Sequence, residues 1–234
     1  PLLHSCLMRV ALEAGGSCWS AAPVSHLNHY LTGIATTIDS LIALQEVVFA
    51  DGAEMTLTEF AGILADDWAG HEQLRRHIQT DLPRFGQDHS LVRETTARLG
   101  NLWCDEVQRT SAGLERFEMW PGFYSFMNHI PWGEQTGATP DGRRAGEPLS
   151  ENLAPSSGTP GCPATSHLLS MSALPMHRTP AGGATLPVSF GDLEGESRAE
   201  VVEGLMEAYF DLGGLHLQFN VVDRATLLDA FDHP

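Results

Sequence analysis

The chain has 234 residues, enough for one large domain or two small ones and for a substantial core. Its 13 basic and 30 acidic residues give a formal net charge of −17, and every basic residue is arginine. That balance argues against a phosphate backbone or an anionic membrane as partner, and no apolar run reaches the roughly 18 residues of a membrane span.

Leu2, Leu3, Cys6, Leu7 and Val10 recur at helical spacing, and Gly15-Gly16 ends that segment. A second helix is predicted from Thr36-Thr37, with Asp39 in its first turn and Ile38, Leu41, Ile42, Gln45 and Val48 on one face. Thr56-Leu57-Thr58-Glu59 fits a capping box and opens a third helix. Gly70 interrupts that helix, and the helical pattern resumes through about Gln79. After the break at Pro83 and Gly86, a long helix is predicted over 90–109, with Leu91, Val92, Thr95, Leu99, Leu102 and Trp103 facing a core.

The middle, from Pro121 to Gly195, is rich in proline and glycine and reads as loops. Short strands are expected near 123–127 and 185–190, and a short helix within 163–173. Ser197-Arg198-Ala199-Glu200 is a second capping box. It opens a helix with Val201, Val202, Leu205, Met206, Tyr209 and Phe210 on one face. Gly213-Gly214 suits a left-handed cap, and residues 215–221 then alternate strictly as a half-buried strand does. Asp223 is placed to cap a last helix through Phe231. The whole reads as α/β, with a helix-rich first half and a loop-rich middle.

The chain has no Gly-x-Gly-x-x-Gly, P-loop or Gly-x-Ser-x-Gly sequence. His71 and His77 are six apart and lie on different helix faces, so they do not form a metal pair, and no metal site is expected. The cysteines Cys6, Cys18, Cys104 and Cys162 are far apart, without a Cys-x-x-Cys pair, and no signal peptide is evident. Reduced thiols in a cytoplasm are the expectation. Cys6 and Cys104 read as small apolar core residues; Cys18 and Cys162 fall in Gly- or Pro-flanked loops. Arg143, Arg144 and Glu147 read as an ion-pair cluster that holds the loop after the Asp141-Gly142 turn. Phe123, Tyr124 and Phe126 pack a core or line a cavity. His216, Gln218 and Asn220 share one strand face, which meets either water or the lumen of a barrel.

Residues 133–158 carry the cadence Ala-Thr-Pro-Asp-Gly-Arg-Arg-Ala-Gly-Glu-Pro-Leu-Ser-Glu-Asn, which closely resembles a signature of glycyl radical enzymes, the pyruvate formate-lyase-like family. The likeness runs along the chain. Residues 37–44 resemble the family's Ala-Asp-Ser-Leu-x-Ala-Ile helix, and 67–75 resemble Asn-Trp-x-Gly-x-Glu-x-Leu-Arg. Residues 83–88 are similar to Pro-Lys-Tyr-Gly-Asn-Asp, and 213–222 to Gly-Gly-x-His-x-Gln-Phe-Asn-Val-Val. Two stretches depart from the pattern. Residues 158–165 lack the family's aspartate, and Ser20-Ala21-Ala22-Pro23 replaces a Gly-Gly-Ala turn.

The resemblance implies part of a ten-stranded α/β barrel wrapped by helices, with residues 1–234 a partial barrel domain of a longer protein. It implies a cytoplasmic, anaerobic lyase, dehydratase or formate acetyltransferase acting on a small polar substrate; a non-catalytic paralogue is the alternative. The resemblance turns Gln218 and Asn220 toward the lumen and sets Pro155 and Ser156 beside the substrate cavity; Phe123, Tyr124 and Phe126 are taken with them as candidate substrate-binding residues. The Gly-Cys-x-Glu loop and the Arg-Val-x-Gly-Tyr/Phe loop, and with them the glycyl radical domain, are expected outside the chain. No catalytic residue and no bound cofactor are therefore assigned within it. Cys104 and Glu106 copy part of the cysteine loop's spacing, but Trp103 stands where its glycine belongs. The radical would be installed by an S-adenosylmethionine iron–sulfur activating enzyme, the protein partner the resemblance implies, and a homodimer is compatible with it; nucleic acid and membrane are not expected. On this reading 133–183 is the least ordered stretch, for want of partners.

Overall fold

In a computed structural model the described residues are 2–21, 26–114, 117–190, 198–222 and 224–233. Three short helices, α1 (Leu2–Leu7), α2 (Arg9–Ala14) and α3 (Cys18–Ala21), lead into strand β1 (His26–Tyr30). Four longer helices follow: α4 (Ile34–Val47), α5 (Leu57–Ala65), α6 (Glu72–Thr80) and α7 (Ser90–Ser111). Then come β2 (Glu118–Gly122), α8 (His129–Glu134), α9 (Ala164–Met171) and a 3-10 turn at Met176–Arg178. The order closes with β3 (Thr185–Phe190), α10 (Arg198–Asp211), β4 (His216–Val221) and α11 (Arg224–Asp232). Among the described residues no helix is long and apolar enough to cross a membrane.

The strands form two parallel pairs, β1 with β2 and β3 with β4. A parallel bridge between Phe123 and Ala184 joins them, so the pairs follow one another as a four-strand parallel array. One face of that array builds the main core. Phe123, Ala184 and Leu186 lie there with Ile34, Ile38 and Ile42 of α4, Val92 and Cys104 of α7, and Leu168 and Met171 of α9. A second cluster, Phe60, Ile63, Trp68, Ile78 and Ala43, ties α5 and α6 to the outer side of α4.

The Thr56–Glu59 capping box is present in full, with the Thr56 amide donating to Glu59 Oε2 at 2.8 Å. The break at Gly70 is real as well: α5 stops at Ala65 and α6 starts at Glu72. Several expected faces are met only in part. On α4 the buried residues are Ile34, Ala35, Thr36, Ile38, Asp39, Ile42 and Ala43, so Ile38 and Ile42 of the expected face are inward, whereas Leu41 and Gln45 are exposed. The helix begins two residues earlier than predicted, behind Gly33. On α7 the fully buried residues are Val92, Thr96, Gly100, Cys104 and Val107; Leu91, Leu99 and Trp103 of the expected face pack part-buried against the core, and Leu102 is exposed. Small residues sit inward there because Pro175 packs directly onto Gly100. On α10 only Leu205 and Tyr209 of the expected stripe are buried; Val201, Met206 and Phe210 are exposed. Cys6, expected in a core, is exposed, because α1 packs chiefly on α2. The caps expected at Ser197 and Asp223 lie outside the described residues.

The strand expected at 123–127 is instead β2, at 118–122. Pro121 hides it, since proline lacks a ladder donor. Here the missing N–H points away from β1, toward the side where β3 has not yet begun, so no bond is lost. Strand β1 has no alternation that marks it in the sequence.

The junction of the two strand pairs needs glycine. A Cβ on Gly182 would lie 2.0 Å from the Pro121 carbonyl oxygen, backbone that cannot move aside without breaking the bridge. Gly182→Ala is therefore expected to destabilise the chain by about 1–3 kcal/mol, read as a lower denaturant midpoint. Gly204→Ala, in open space on α10, is expected to hold or raise stability.

Candidate functional site

Asp39 is the centre of the polar interior. It sits on the buried stripe of α4 and reaches the loop between α6 and α7. Its Oδ1 accepts the Phe85 amide at 2.7 Å, and its Oδ2 accepts the Ser156 hydroxyl at 2.8 Å. Arg84 Nη2 lies 3.0 Å from the same Oδ2, with both side chains at 5% exposure or less. Arg84 also donates to the Asp141 carbonyl at 2.9 Å and stands 3.5 Å from the Asp141 carboxylate. One cation thus serves two buried carboxylates. Burial raises the Asp39 pKa to about 6 against the pull of Arg84, and burial raises that of Asp141 too.

The signature loop is tied down from within. Arg143 is buried and donates to the carbonyls of Glu147, Thr136 and Gly137 and to the Thr139 hydroxyl. Trp68 donates its indole N–H to the Arg143 carbonyl at 3.2 Å. Arg144 reaches Asp67 and Glu72 rather than the Glu147 carboxylate, which instead accepts the Arg144 amide. The cluster therefore holds the loop, mostly through backbone carbonyls and across to α6.

Two cavities flank the next segment. One, of about 620 Å³, is lined by Arg75, Arg84, Asp141, Arg143, Pro155 and Ser156 among others. The other, of about 370 Å³, is lined by Pro155, Ser156, Cys162, His167, Leu186 and Ser189 among others. Ala154, Pro155, Ser156 and Ser157 border both. His167 donates from Nε2 to the Leu153 carbonyl at 2.7 Å, and burial lowers its pKa, so it is a neutral structural group.

The array's second face is polar and aromatic. By register and alternation it carries Asn28, Tyr30 and Trp120, then Thr185 and Ser189, then His216, Gln218 and Asn220. Tyr30 stacks edge-on with Phe126, ring centroids 5.3 Å apart, and Phe126 with Tyr124 at 4.2 Å. The Asn28 Oδ1 is buried there with no hydrogen-bond partner among the described residues. Gln218 donates to Asn220 at 3.2 Å, and both are half-buried. Phe123 lies on the opposite face, wholly inside the core. The structure thus brings Tyr124 and Phe126 together on one face, and Pro155 and Ser156 together at the cavities. The sequence reading missed Asp39 and Arg84 as partners, although both fall in stretches that resemble family motifs, 37–44 and 83–88.

Cys104 is buried in the core with its thiol pKa raised by burial, which matches its reading as a packing residue. Cys162 is half-buried and donates to the Gly86 carbonyl at 3.0 Å. No group of three or more metal-ligating side chains occurs among the described residues.

The sequence profile of the family described as Pyruvate formate lyase-like matches residues 2–133, and the profile described as Glycine radical matches 149–234. The chain belongs to the pyruvate formate lyase-like, glycyl radical enzyme family. It is 34% identical to the probable dehydratase YbiW of Escherichia coli strain K12, over 100% of the chain and 29% of that protein. To trans-4-hydroxy-L-proline dehydratase of Clostridioides difficile it is 31% identical, over 86% of the chain and 25% of that protein. The fold overlays the glycerol-bound B12-independent glycerol dehydratase of Clostridium butyricum with a TM-score of 0.86 and 28% identity, over 98% of the chain and 29% of that structure. The chain thus spans under a third of the length of these relatives.

One expectation is overturned by these matches. The glycyl radical domain does not lie outside the chain, because residues 149–234 match it. A motif reading equates that domain with its Arg-Val-x-Gly-Tyr/Phe loop. The matched region instead starts at the Leu149–Asn152 turn and takes in β3, α10, β4 and α11.

Removing Arg84 would strand two carboxylates in the interior. Arg84→Met is expected to cost about 3–5 kcal/mol at neutral pH, measured by denaturant unfolding. The sign with pH follows from Asp39. Its folded pKa, about 6, is above the unfolded value of about 3.9, so its contribution to stability falls as pH rises through that window and is level above it. Without Arg84 the folded values climb further, so the deficit of Arg84→Met should shrink on going from pH 7.5 to pH 5.

Proposed function

We propose that this chain is part of a glycyl radical dehydratase that removes water from a small hydroxylated substrate. The observation that supports this most is the 34% identity to a probable dehydratase along the entire chain. The overlay on a glycerol dehydratase points the same way. The chain's own residues supply a wall of that site. Tyr124 and Phe126 offer an aromatic surface, Gln218 and Asn220 offer amides on the same strand-array face, and Pro155 and Ser156 border the two cavities. Such a mixture suits a small polar molecule, with a few hydrogen-bonding groups for orientation and aromatic rings to exclude water. Phe123 has no part in this wall, being enclosed in the core.

The glycyl radical supplies hydrogen-atom abstraction when present. Its domain is represented here by 149–234, although the Arg-Val-x-Gly-Tyr/Phe sequence does not occur in the chain. Nor does Gly-Cys-x-Glu; Trp103-Cys104-Asp105-Glu106 is the nearest approach, and its thiol is buried. The chain by itself is accordingly expected to be inactive.

The test is anaerobic activation of the intact protein with an S-adenosylmethionine iron–sulfur activating enzyme. Glycerol, propane-1,2-diol and trans-4-hydroxy-L-proline are then assayed for dehydration. The expected result is a glycyl radical signal in electron paramagnetic resonance and turnover of at least one of these hydroxylated compounds. A radical with turnover only of pyruvate and coenzyme A would move the assignment to acyl transfer. Absence of both radical and turnover would favour a non-catalytic paralogue.

A further inference from the structure

The segment 154–159 is the partition between the two cavities, and it is clamped by groups from α4 and the Arg84–Gln87 loop. The Ser156 hydroxyl donates to Asp39 Oδ2 at 2.8 Å. Arg84 Nε donates to Thr159 Oγ1 at 3.4 Å, and that hydroxyl donates to the Ser156 carbonyl at 2.7 Å. Gln87 Nε2 donates to the Pro160 carbonyl at 2.8 Å. Close packing completes the clamp: a Cβ on Gly86, whose φ is +100°, would lie 2.5 Å from Cys162 Sγ and 2.7 Å from Pro155 Cγ.

We propose that Asp39 is a positioning residue whose carboxylate, oriented by Arg84, sets the place of Ser156 and thereby the shape of both cavities. This rests on the reading that Pro155 and Ser156 border the substrate's space. The geometry favours positioning over simple stabilisation. A buried ion pair contributes little net stability compared with an apolar packing of the same volume, but it has strict directional demands. At Asp39 those demands are divided: one oxygen fixes the 84–87 loop through the Phe85 amide, and the other fixes the partition through Ser156. Arg84 holds the second oxygen while reaching Thr159 on the partition and Asp141 on the signature loop. A shift of this one carboxylate therefore moves a wall shared by two spaces.

Asp39→Asn in the intact protein is the test. The amide keeps an acceptor for Phe85, but it turns a donor toward Arg84 and loses the acceptor for Ser156. Amide hydrogen exchange across 154–159, followed by mass spectrometry, is expected to become about tenfold faster, with the Phe85 segment unchanged. For the substrate found by the panel above, KM is expected to rise about five- to twentyfold with kcat within about twofold. Unchanged exchange at 154–159 would overturn the proposal, and so would a fall in kcat with KM intact, which marks a lost transition-state contact or a smaller folded fraction rather than an altered cavity. If Asp39→Asn does not fold, Thr159→Val cuts the same clamp at its rim, and a smaller shift in the same two readouts is expected. If no compound is turned over, the dehydratase reading fails while the exchange measurement still decides the role of Asp39.

Discussion

A single buried arginine shared between two carboxylates holds three distant parts of the chain together. Arg84 lies between Asp39 on α4 and Asp141 on the signature loop, and Asp39 in turn holds Ser156. Taking these charges out of water is costly, and the cost shows in the raised pKa of Asp39. The cost is offset because nearly every lone pair and N–H of the group is matched. The chain has few cations to spend on its 30 acidic residues, so committing one to a fully enclosed position constrains everything around it.

The same logic runs through the loop-rich middle. Residues 136–157 have little regular structure, yet Asp141, Arg143, Ser150, Asn152 and Ser156 are buried. Side chains there take over the work that ladders and helices do elsewhere. Arg143 gathers carbonyls, Ser150 exchanges hydrogen bonds with Thr36, and Asn152 does so with Ser125. Orphaned backbone groups are thus satisfied without secondary structure.

The parallel strand array divides the chain's chemistry by face. One side is apolar and packs against α4, α7 and α9; the other presents aromatic rings and amides. Residues that match two different family profiles contribute to the same array, β1 and β2 from one and β3 and β4 from the other. The bridge from Phe123 to Ala184, possible only with Gly182 beside Pro121, is where the two halves join. The region of residues 149–234 is therefore continuous with that of residues 2–133 through the strands, which a division by motif alone does not reveal.

Local chemistry determined much of this in the sequence itself. The Thr56–Glu59 box, the break at Gly70 and the α10–Gly213-Gly214–β4 unit are legible because caps, glycines and alternation act over a few residues. The long signature at 133–158 placed the chain in its family. The sequence did not reveal β1 or the register of β2, because Pro121 is tolerated only by virtue of which neighbour is absent on one side. The most deeply buried positions of α7 were missed where the decisive contact was distant, as with Pro175 on Gly100. Asp39, Arg84 and Ser156 are 45 to 117 positions apart along the chain, well beyond any periodicity, and only tertiary packing puts them within hydrogen-bonding reach. Burial raises the pKa of Asp39 and sets what all three groups touch, and burial is a property of the assembled core rather than of any local pattern.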